Sequence, residues 1–297
     1  MYPRAFQYHR ASSLREASEM LSQLGAEAKV LAGGQSLIPL MKLRFASPAH
    51  LVDLNFIEGT SYIKEEGGLI RIGALSRHAE IENSTAASKV PILYDCAAGI
   101  ADMQVRNRGT IGGSVAEADP SGDWATVLMT LSTKIHCSGR RGERAVELCD
   151  FVKDAYTTAL NHDELVREVS IQTPASGSGG AYIAFKRAAP VYPTASVAVQ
   201  LLLEGETCKE ATIALGCVGL TPVRPTGAEN MLRGQRISGK TIAAAAAAAR
   251  KAADPQSDMR GSVEYKRELV GALVKRAIEA AVCRARGQRV EVAHLYA

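Results

Sequence analysis

Val30-Leu31-Ala32-Gly33-Gly34-Gln35-Ser36 is a short apolar run that stops at adjacent glycines. Read as a buried strand closing in a loop, it predicts backbone N–H groups that point outward at a closely approaching ligand. A second stretch repeats the pattern: Gly109-Thr110-Ile111-Gly112-Gly113-Ser114, preceded by the basic Arg106-Asn107-Arg108. Ser36 and Thr110 add hydroxyls and Gln35 adds an amide, so two such loops can grip the two ends of one anionic, phosphate-containing ligand. Adjacent glycines also mark hairpin turns, which is the reading given to Gly67-Gly68. Neither loop matches Gly-x-Gly-x-x-Gly or Gly-x-x-x-x-Gly-Lys-[Ser/Thr], which disfavours Rossmann and Walker-type sites.

Outward from the first loop, Ser13 and Glu16 stand in capping-box spacing before a helical stripe of Leu14, Ala17, Leu21 and Leu24. Ser36 is placed to cap a short helix through Leu43, and Leu51-Val52-Asp53-Leu54 reads as a strand. The result is a small α/β unit ending near Asn55. A hairpin follows over 62–72, then helices at 79–82 and 91–100, and another opened by Asp123-Trp124 and running to Leu131. Strands are expected at 134–137, 144–147 and 166–171. Pro174-Ala175-Ser176-Gly177-Ser178-Gly179-Gly180 reads as a linker. Beyond it lie strands at 181–186, 195–203 and 211–215, then helices at 242–252 and 263–282. The fold class is α+β. Residues 1–176 form one unit, with subdomains about 1–57 and 58–176, and 177–297 form a C-terminal α+β domain.

With 297 residues the chain has room for two or three cores. Its 46% hydrophobic and 22% charged residues are an ordinary globular mixture. A net charge of +4, with the basic residues dispersed, argues against a nucleic-acid partner. The six cysteines, at 96, 137, 149, 208, 217 and 283, include no C-x-x-C pair, so no metal or cluster is expected on this chain. The first residues have no apolar signal-peptide core, and no stretch approaches a membrane span. A soluble cytoplasmic protein with reduced cysteines is expected.

At the two loops the sequence resembles the FAD-binding (medium) subunits of the molybdenum hydroxylases, the group of aerobic carbon monoxide dehydrogenase, quinoline and nicotine oxidoreductases and bacterial xanthine dehydrogenases. The matching pieces are Ala32–Leu37, Gly109–Ser114, Ala118-Asp119-Pro120-Ser121-Gly122-Asp123 and Asp258-Met259-Arg260-Gly261-Ser262-Val263-Glu264-Tyr265. They occur in the family's order over nearly the whole chain. The resemblance implies a vanillyl-alcohol-oxidase (PCMH)-type FAD fold of two α/β subdomains, plus a C-terminal domain resembling that of the CO dehydrogenase flavoprotein. It implies that Ala32, Gly33, Gly34, Gln35 and Ser36, and then Thr110, Ile111, Gly112, Gly113 and Ser114, wrap the FAD pyrophosphate. Many relatives have Asn in place of Ser114. Asp123 matches an acidic residue on the ribityl or ribose hydroxyls, and it also reads as the cap of the helix that follows. Leu165 and Val166 match apolar positions near the isoalloxazine, where buried strand residues look the same. Lys186 and Tyr192 match a Lys-Arg…Tyr pattern beside the ring, although Pro190-Val191 replaces the usual Gly-Asp. Asp102 and Arg106 are placed either at the access to the ring or on a solvated helix.

The same resemblance implies an electron-transfer role. Molybdopterin in a large subunit oxidises the substrate, and two [2Fe–2S] clusters in a small subunit pass electrons to FAD on this chain. An external acceptor (NAD, a quinone or dioxygen) then takes them, in a dimer of heterotrimers. The alternatives are a free-standing FAD-dependent oxidase of the same fold and an assembly module without FAD. An oxidase would reduce its flavin without partner subunits, and a module would retain none.

Overall fold

The computed structural model describes residues 2–292 and the backbone of residues 295–296. The chain begins with β1 (Gln7–Arg10), α1 (Leu14–Leu24), β2 (Ala28–Leu31), α2 (Leu37–Leu43) and β3 (His50–Asp53). Ser13 caps α1 as its position predicts, its side chain accepting from the N–H of Glu16. The three strands run parallel in the order β1-β3-β2, so that Gln7 and Ala28 both face His50. Parallel neighbours need a crossover, which α1 and α2 supply. The sequence reading omits β1, because Gln-Tyr-His-Arg is a polar, largely exposed edge strand.

A second sheet follows. β4 (Ile63–Glu66) and β5 (Leu69–Gly73) form the hairpin expected at Gly67-Gly68, and the chain then leaves the sheet through six short helices. These are α3 (His78–Glu82), α4 (Thr85–Lys89), α5 (Pro91–Gly99), α6 (Met103–Arg106), α7 (Ile111–Glu117) and α8 (Trp124–Leu128). It returns as β6 (Thr133–Gly139) and β7 (Gly142–Glu147). A short helix α9 (Leu148–Phe151) and a small ribbon of β8 (Val152–Asp154) and β9 (Thr157–Thr158) intervene before β10 (Leu165–Gln172). The strand order is β4-β5-β10-β6-β7, antiparallel throughout. Ile70, Ile72, Ile135, Val169 and Ile171 of the sheet pack on Ile92, Leu93, Ile111, Trp124 and Leu128 of the helices, all buried.

The expected linker is shorter than its composition suggests. β11 (Ser178–Lys186) takes in Ser178-Gly179-Gly180, because there the strand runs against the last helix. A Cβ on Gly179 would lie 2.1 Å from the carbonyl oxygen of Ala281. β12 (Ala195–Glu204) and β13 (Thr207–Gly216) complete an antiparallel meander, to which β14 (Leu295–Tyr296) adds in parallel. Helices α10 (Thr226–Leu232), α11 (Gly239–Ala252) and α12 (Val263–Ala285) follow β13.

The alternation of strand side chains makes this sheet the wall between two cores. Ala181 and Ile183 join Leu273 and Ala277 of α12, whereas Tyr182 and Ala184 join the core beneath α5 and α8. A buried ion pair pins the seam. Arg284 of α12 grips Asp95 of α5 with both ends of its guanidinium, at 2.5 and 2.9 Å, and also donates to the carbonyl of Gly180 at 2.7 Å.

Candidate functional site

The two glycine loops touch. A Cβ on Gly33 would lie 2.3 Å from the carbonyl oxygen of Arg108 and 2.7 Å from Cα of Gly109, so only glycine admits this backbone-on-backbone contact. A Cβ on Gly113 would stand 3.8 Å from Cβ of Ala32. A brace of polar side chains holds the pair. Tyr8 donates to Asp53 at 2.7 Å, and Asp53 accepts from Asn55 at 2.8 Å (main chain) and 2.6 Å (side chain). The Asn55 amide donates to the carbonyl of Ala32 at 2.8 Å and accepts from Arg77 at 2.6 Å. The other arm of Arg77 reaches the carbonyl of Arg108. One guanidinium therefore ties both loops together.

The loops use their backbones differently. In the second, every N–H from Ile111 to Ser114 is already taken. Ile111 donates to Ser76 (3.1 Å), Gly112 to Ala74 (2.9 Å), Gly113 to the Thr110 hydroxyl (3.1 Å) and Ser114 to the Thr110 carbonyl (3.0 Å). The expectation of outward-pointing donors is corrected here, because this stretch opens α7 with Thr110 as its cap. In the first loop, the N–H groups of Gly33, Gly34, Gln35 and Ser36 find no acceptor among the described residues. Gly34 adopts a φ of +73°, which turns this row of donors into a concave backbone. The expected Ser36 cap of α2 does not form, because Ser36 is itself in a helical conformation and its hydroxyl accepts no helix N–H.

A cavity of about 380 Å³ lies against this first loop, lined among others by Ala32, Gly33, Gly34, Gln35, Lys42, Asp53, Asn55 and Arg108. Four unpaired N–H donors beside two cationic side chains suit a doubly charged phosphate-type anion. The Asp53 carboxylate and Asn55 amide suit hydroxyl groups next to it. From the second loop, Arg108 lines this cavity, and Ser114 contributes a half-buried hydroxyl nearby in the chain. Thr110, Ile111 and Gly112 are buried. A Cβ on Gly112 would lie 2.5 Å from Cβ of Ala74, so this glycine serves the packing of α7 on the sheet.

Behind the second loop sits His78. Its main-chain N–H donates to Gly109 at 3.1 Å, and its ring Nδ1 accepts from the Trp124 indole at 3.1 Å. Burial, reinforced by the nearby positive charges of Arg77 and Arg106, pulls the imidazole down to about 3 and keeps it neutral.

The other expected residues do not line this cavity. Asp123 does not cap α8 with its side chain; instead its Oδ1 accepts from the buried Tyr182 hydroxyl at 2.6 Å. Lys186 is buried, its Nζ donating to the carbonyl of Gly99. Tyr192 is half-exposed on the β11–β12 connection, with the Arg260 guanidinium 5.9 Å from its ring centroid. Leu165 belongs to the core of the parallel sheet and Val166 to that of the antiparallel sheet, so neither lines the cavity. Asp102 caps α6 through the N–H of Val105, and Arg106 pairs with Glu82 at 3.1 Å, which accounts for both structurally.

With this geometry in place, the chain can be compared with known proteins. The FAD binding domain in molybdopterin dehydrogenase matches residues 4–174, and the CO dehydrogenase flavoprotein C-terminal domain matches residues 180–281. The chain belongs to the FAD-binding medium subunits of the molybdenum hydroxylases. Carbon monoxide dehydrogenase medium chains of Hydrogenophaga pseudoflava and Afipia carboxidovorans are each 39% identical to it. The alignments cover 96% of this chain and 99% and 100% of theirs. Carbon monoxide dehydrogenase from Hydrogenophaga pseudoflava superimposes with a TM-score of 0.93 at 40% identity, over 96% of this chain and 99% of that one. Quinoline 2-oxidoreductase from Pseudomonas putida 86 gives 0.91 at 34%, over 96% and 99%.

The medium subunit thus carries its FAD-binding unit on the two sheets and the loops between them. The donor row, the two cations and the hydroxyl-binding Asp53–Asn55 pair fit that cofactor. The four stretches that carried the resemblance also converge. The two loops meet through Gly33, and α7 leads from the second loop to Ala118–Asp123. Arg260 then reaches that turn by donating to the Ser121 hydroxyl at 3.0 Å. Sequence reading missed Asn55, Arg77 and His78. Each acts through a distant main-chain group, which leaves no local pattern; only the basic stretch before the second loop pointed toward Arg108.

Proposed function

We propose that this medium subunit holds FAD with its pyrophosphate against Gly33, Gly34, Gln35 and Ser36, and that it serves as the electron-transfer subunit of a heterotrimeric molybdenum hydroxylase. When bound, FAD supplies the redox chemistry that joins one-electron donors to an external acceptor (NAD, a quinone or dioxygen). This chain's part is to bind and orient. Lys42 and Arg108 offset the phosphate charge, while Asp53, Asn55 and Asp123 accept from or donate to sugar and ribityl hydroxyls. The Thr110–Ser114 loop buttresses the first loop and adds the Ser114 hydroxyl. Leu165, Val166, Lys186 and Tyr192 belong on the isoalloxazine side. Residues 1–176 act as the FAD-binding unit, with subdomains about 1–57 and 58–176, and 177–297 act as the C-terminal domain.

A large molybdopterin subunit and a small subunit with [2Fe–2S] clusters are the partners in a dimer of heterotrimers, located in the cytoplasm. No helix among the described residues is long and apolar enough to cross a membrane. The observation that carries the reading is the row of unpaired N–H groups in the first loop beside Arg108 and Lys42. Titrating the chain with FAD tests it: flavin fluorescence is quenched at one equivalent, and an unquenched titration rejects the proposal.

A further inference from the structure

An acidic residue at the start of a helix ordinarily accepts from the helix N–H groups, and Asp123 does not. Its main chain opens α8, with the carbonyl accepting from the N–H of Val127 at 3.2 Å. Its buried carboxylate turns instead to the C-terminal domain, where Oδ1 accepts from the Tyr182 hydroxyl at 2.6 Å. The neighbouring Trp124 ties the same turn back to the second loop through His78.

Tyr182 is itself held at three points. Its main-chain N–H donates to Asp95 Oδ2 at 3.1 Å, and that carboxylate is gripped in turn by Arg284 of α12. Its ring is fully buried in the core beneath α5 and α8, although β11 belongs to the C-terminal sheet. Its hydroxyl then reaches Asp123. Burial, followed by the Asp123 charge, raises the phenol well above its ordinary range, so it stays a protonated donor. A short contact from a hydroxyl to a carboxylate is among the stronger hydrogen bonds in proteins, and it restricts how the carboxylate can turn.

Asp53 and Asn55 stand at the cavity of the first loop. Asp123 lies off that cavity, beyond the seven-residue α7 and against the C-terminal domain. A dinucleotide lying across the loops therefore meets one hydroxyl-binding carboxylate on each side of its pyrophosphate. We propose that Tyr182 is a positioning residue: by fixing the Asp123 carboxylate, it lets the C-terminal domain set how tightly the ribityl half of FAD is held. This deepens the FAD reading above and rests on it.

ADP carries the pyrophosphate and adenosine of FAD without the ribityl chain or the ring, so the two ligands separate the two halves. The test measures dissociation constants for both by calorimetry, using the full chain, Tyr182→Phe, Asp123→Asn and the double variant. Tyr182→Phe keeps the ring and loses only the hydroxyl. It is expected to weaken FAD on the order of tenfold, the change made by one hydrogen bond to a charged group, and to leave ADP unchanged. Asp123→Asn should weaken FAD at least as much. Adding Tyr182→Phe to it should cost nothing further, because the tyrosine acts through that carboxylate.

Unchanged FAD affinity in Tyr182→Phe overturns the proposal. So does a loss shared equally by ADP, which marks a hydroxyl that only supports the fold. Additive effects of the two substitutions overturn the route through Asp123. A wild-type chain that binds neither ligand rejects the FAD reading and the proposal with it, whereas the other outcomes reject the proposal alone.

Discussion

Gly33-Gly34 and Gly112-Gly113 are the same dipeptide in two loops that touch, yet their backbones do opposite work. Around the first pair, four consecutive N–H groups find no acceptor among the described residues; around the second, four consecutive N–H groups are all satisfied from within. The first loop follows a parallel strand and turns through a positive φ at Gly34, leaving its donors open toward a cavity. The second opens a helix packed on Ala74, so its glycines buy closeness to other protein groups. A glycine pair in a sequence therefore signals close approach without saying what approaches.

Substitutions at matched positions break the comparison most sharply. Gly112→Val forces a Cβ into Ala74 and should destabilise the chain without FAD by about 3 kcal/mol, the upper end for overpacking, as measured by urea denaturation. Gly34→Val meets the ends of the Ile38 and Leu31 side chains at 3.1 and 3.2 Å, and at a φ of +73° its β-branched side chain strains the backbone by about 1–2 kcal/mol, less than the cost at Gly112. Its main effect should be on the cofactor, a loss of FAD affinity of about a hundredfold, or nearly 3 kcal/mol. Equal effects of the two variants on both readouts would erase the distinction between the loops.

The brace is next in size. Arg77→Gln leaves the Arg108 carbonyl and the Asn55 amide short of a charged donor, and should cost about 2 kcal/mol of stability and loosen both loops together. A variant that weakened FAD binding while leaving stability untouched would remove Arg77 from the brace.

An effect of similar size concerns pH and the second loop alone. Folded His78 titrates at about 3 against an ordinary 6.5. Above 6.5 the imidazole is neutral in both states and its contribution to stability is fully present. As pH falls below 6.5, the unfolded chain takes up a proton that the folded chain refuses, so stability is lost progressively down toward 3. Between pH 7 and pH 5 the wild type should lose roughly 2 kcal/mol more than His78→Gln. Parallel pH profiles for the two proteins would contradict the buried neutral imidazole.

Much of this architecture is written in local pattern. The Ser13 cap, the hairpin at Gly67-Gly68 and the strands flanking the Gly139–Gly142 turn follow from spacing alone. Three features do not. β1 is polar and exposed, so it lacks the apolar alternation that marks a strand. α7 reads as a loop because its glycines hide a helix that Thr110 caps and Ala74 accommodates. The Tyr8–Asp53–Asn55–Arg77 brace joins residues far apart in the chain through main-chain carbonyls, which any residue type presents. The loops were legible as a related pair; their unequal roles appear only once each N–H is followed to its acceptor.

Amide hydrogen exchange with and without FAD tests that inequality most directly. The N–H groups of Gly34, Gln35 and Ser36 should exchange fast in the free chain and become protected when FAD is added, while those of Ile111–Ser114 should be protected in both states. Protection gained at Ile111–Ser114, with the first loop unchanged, would contradict the account.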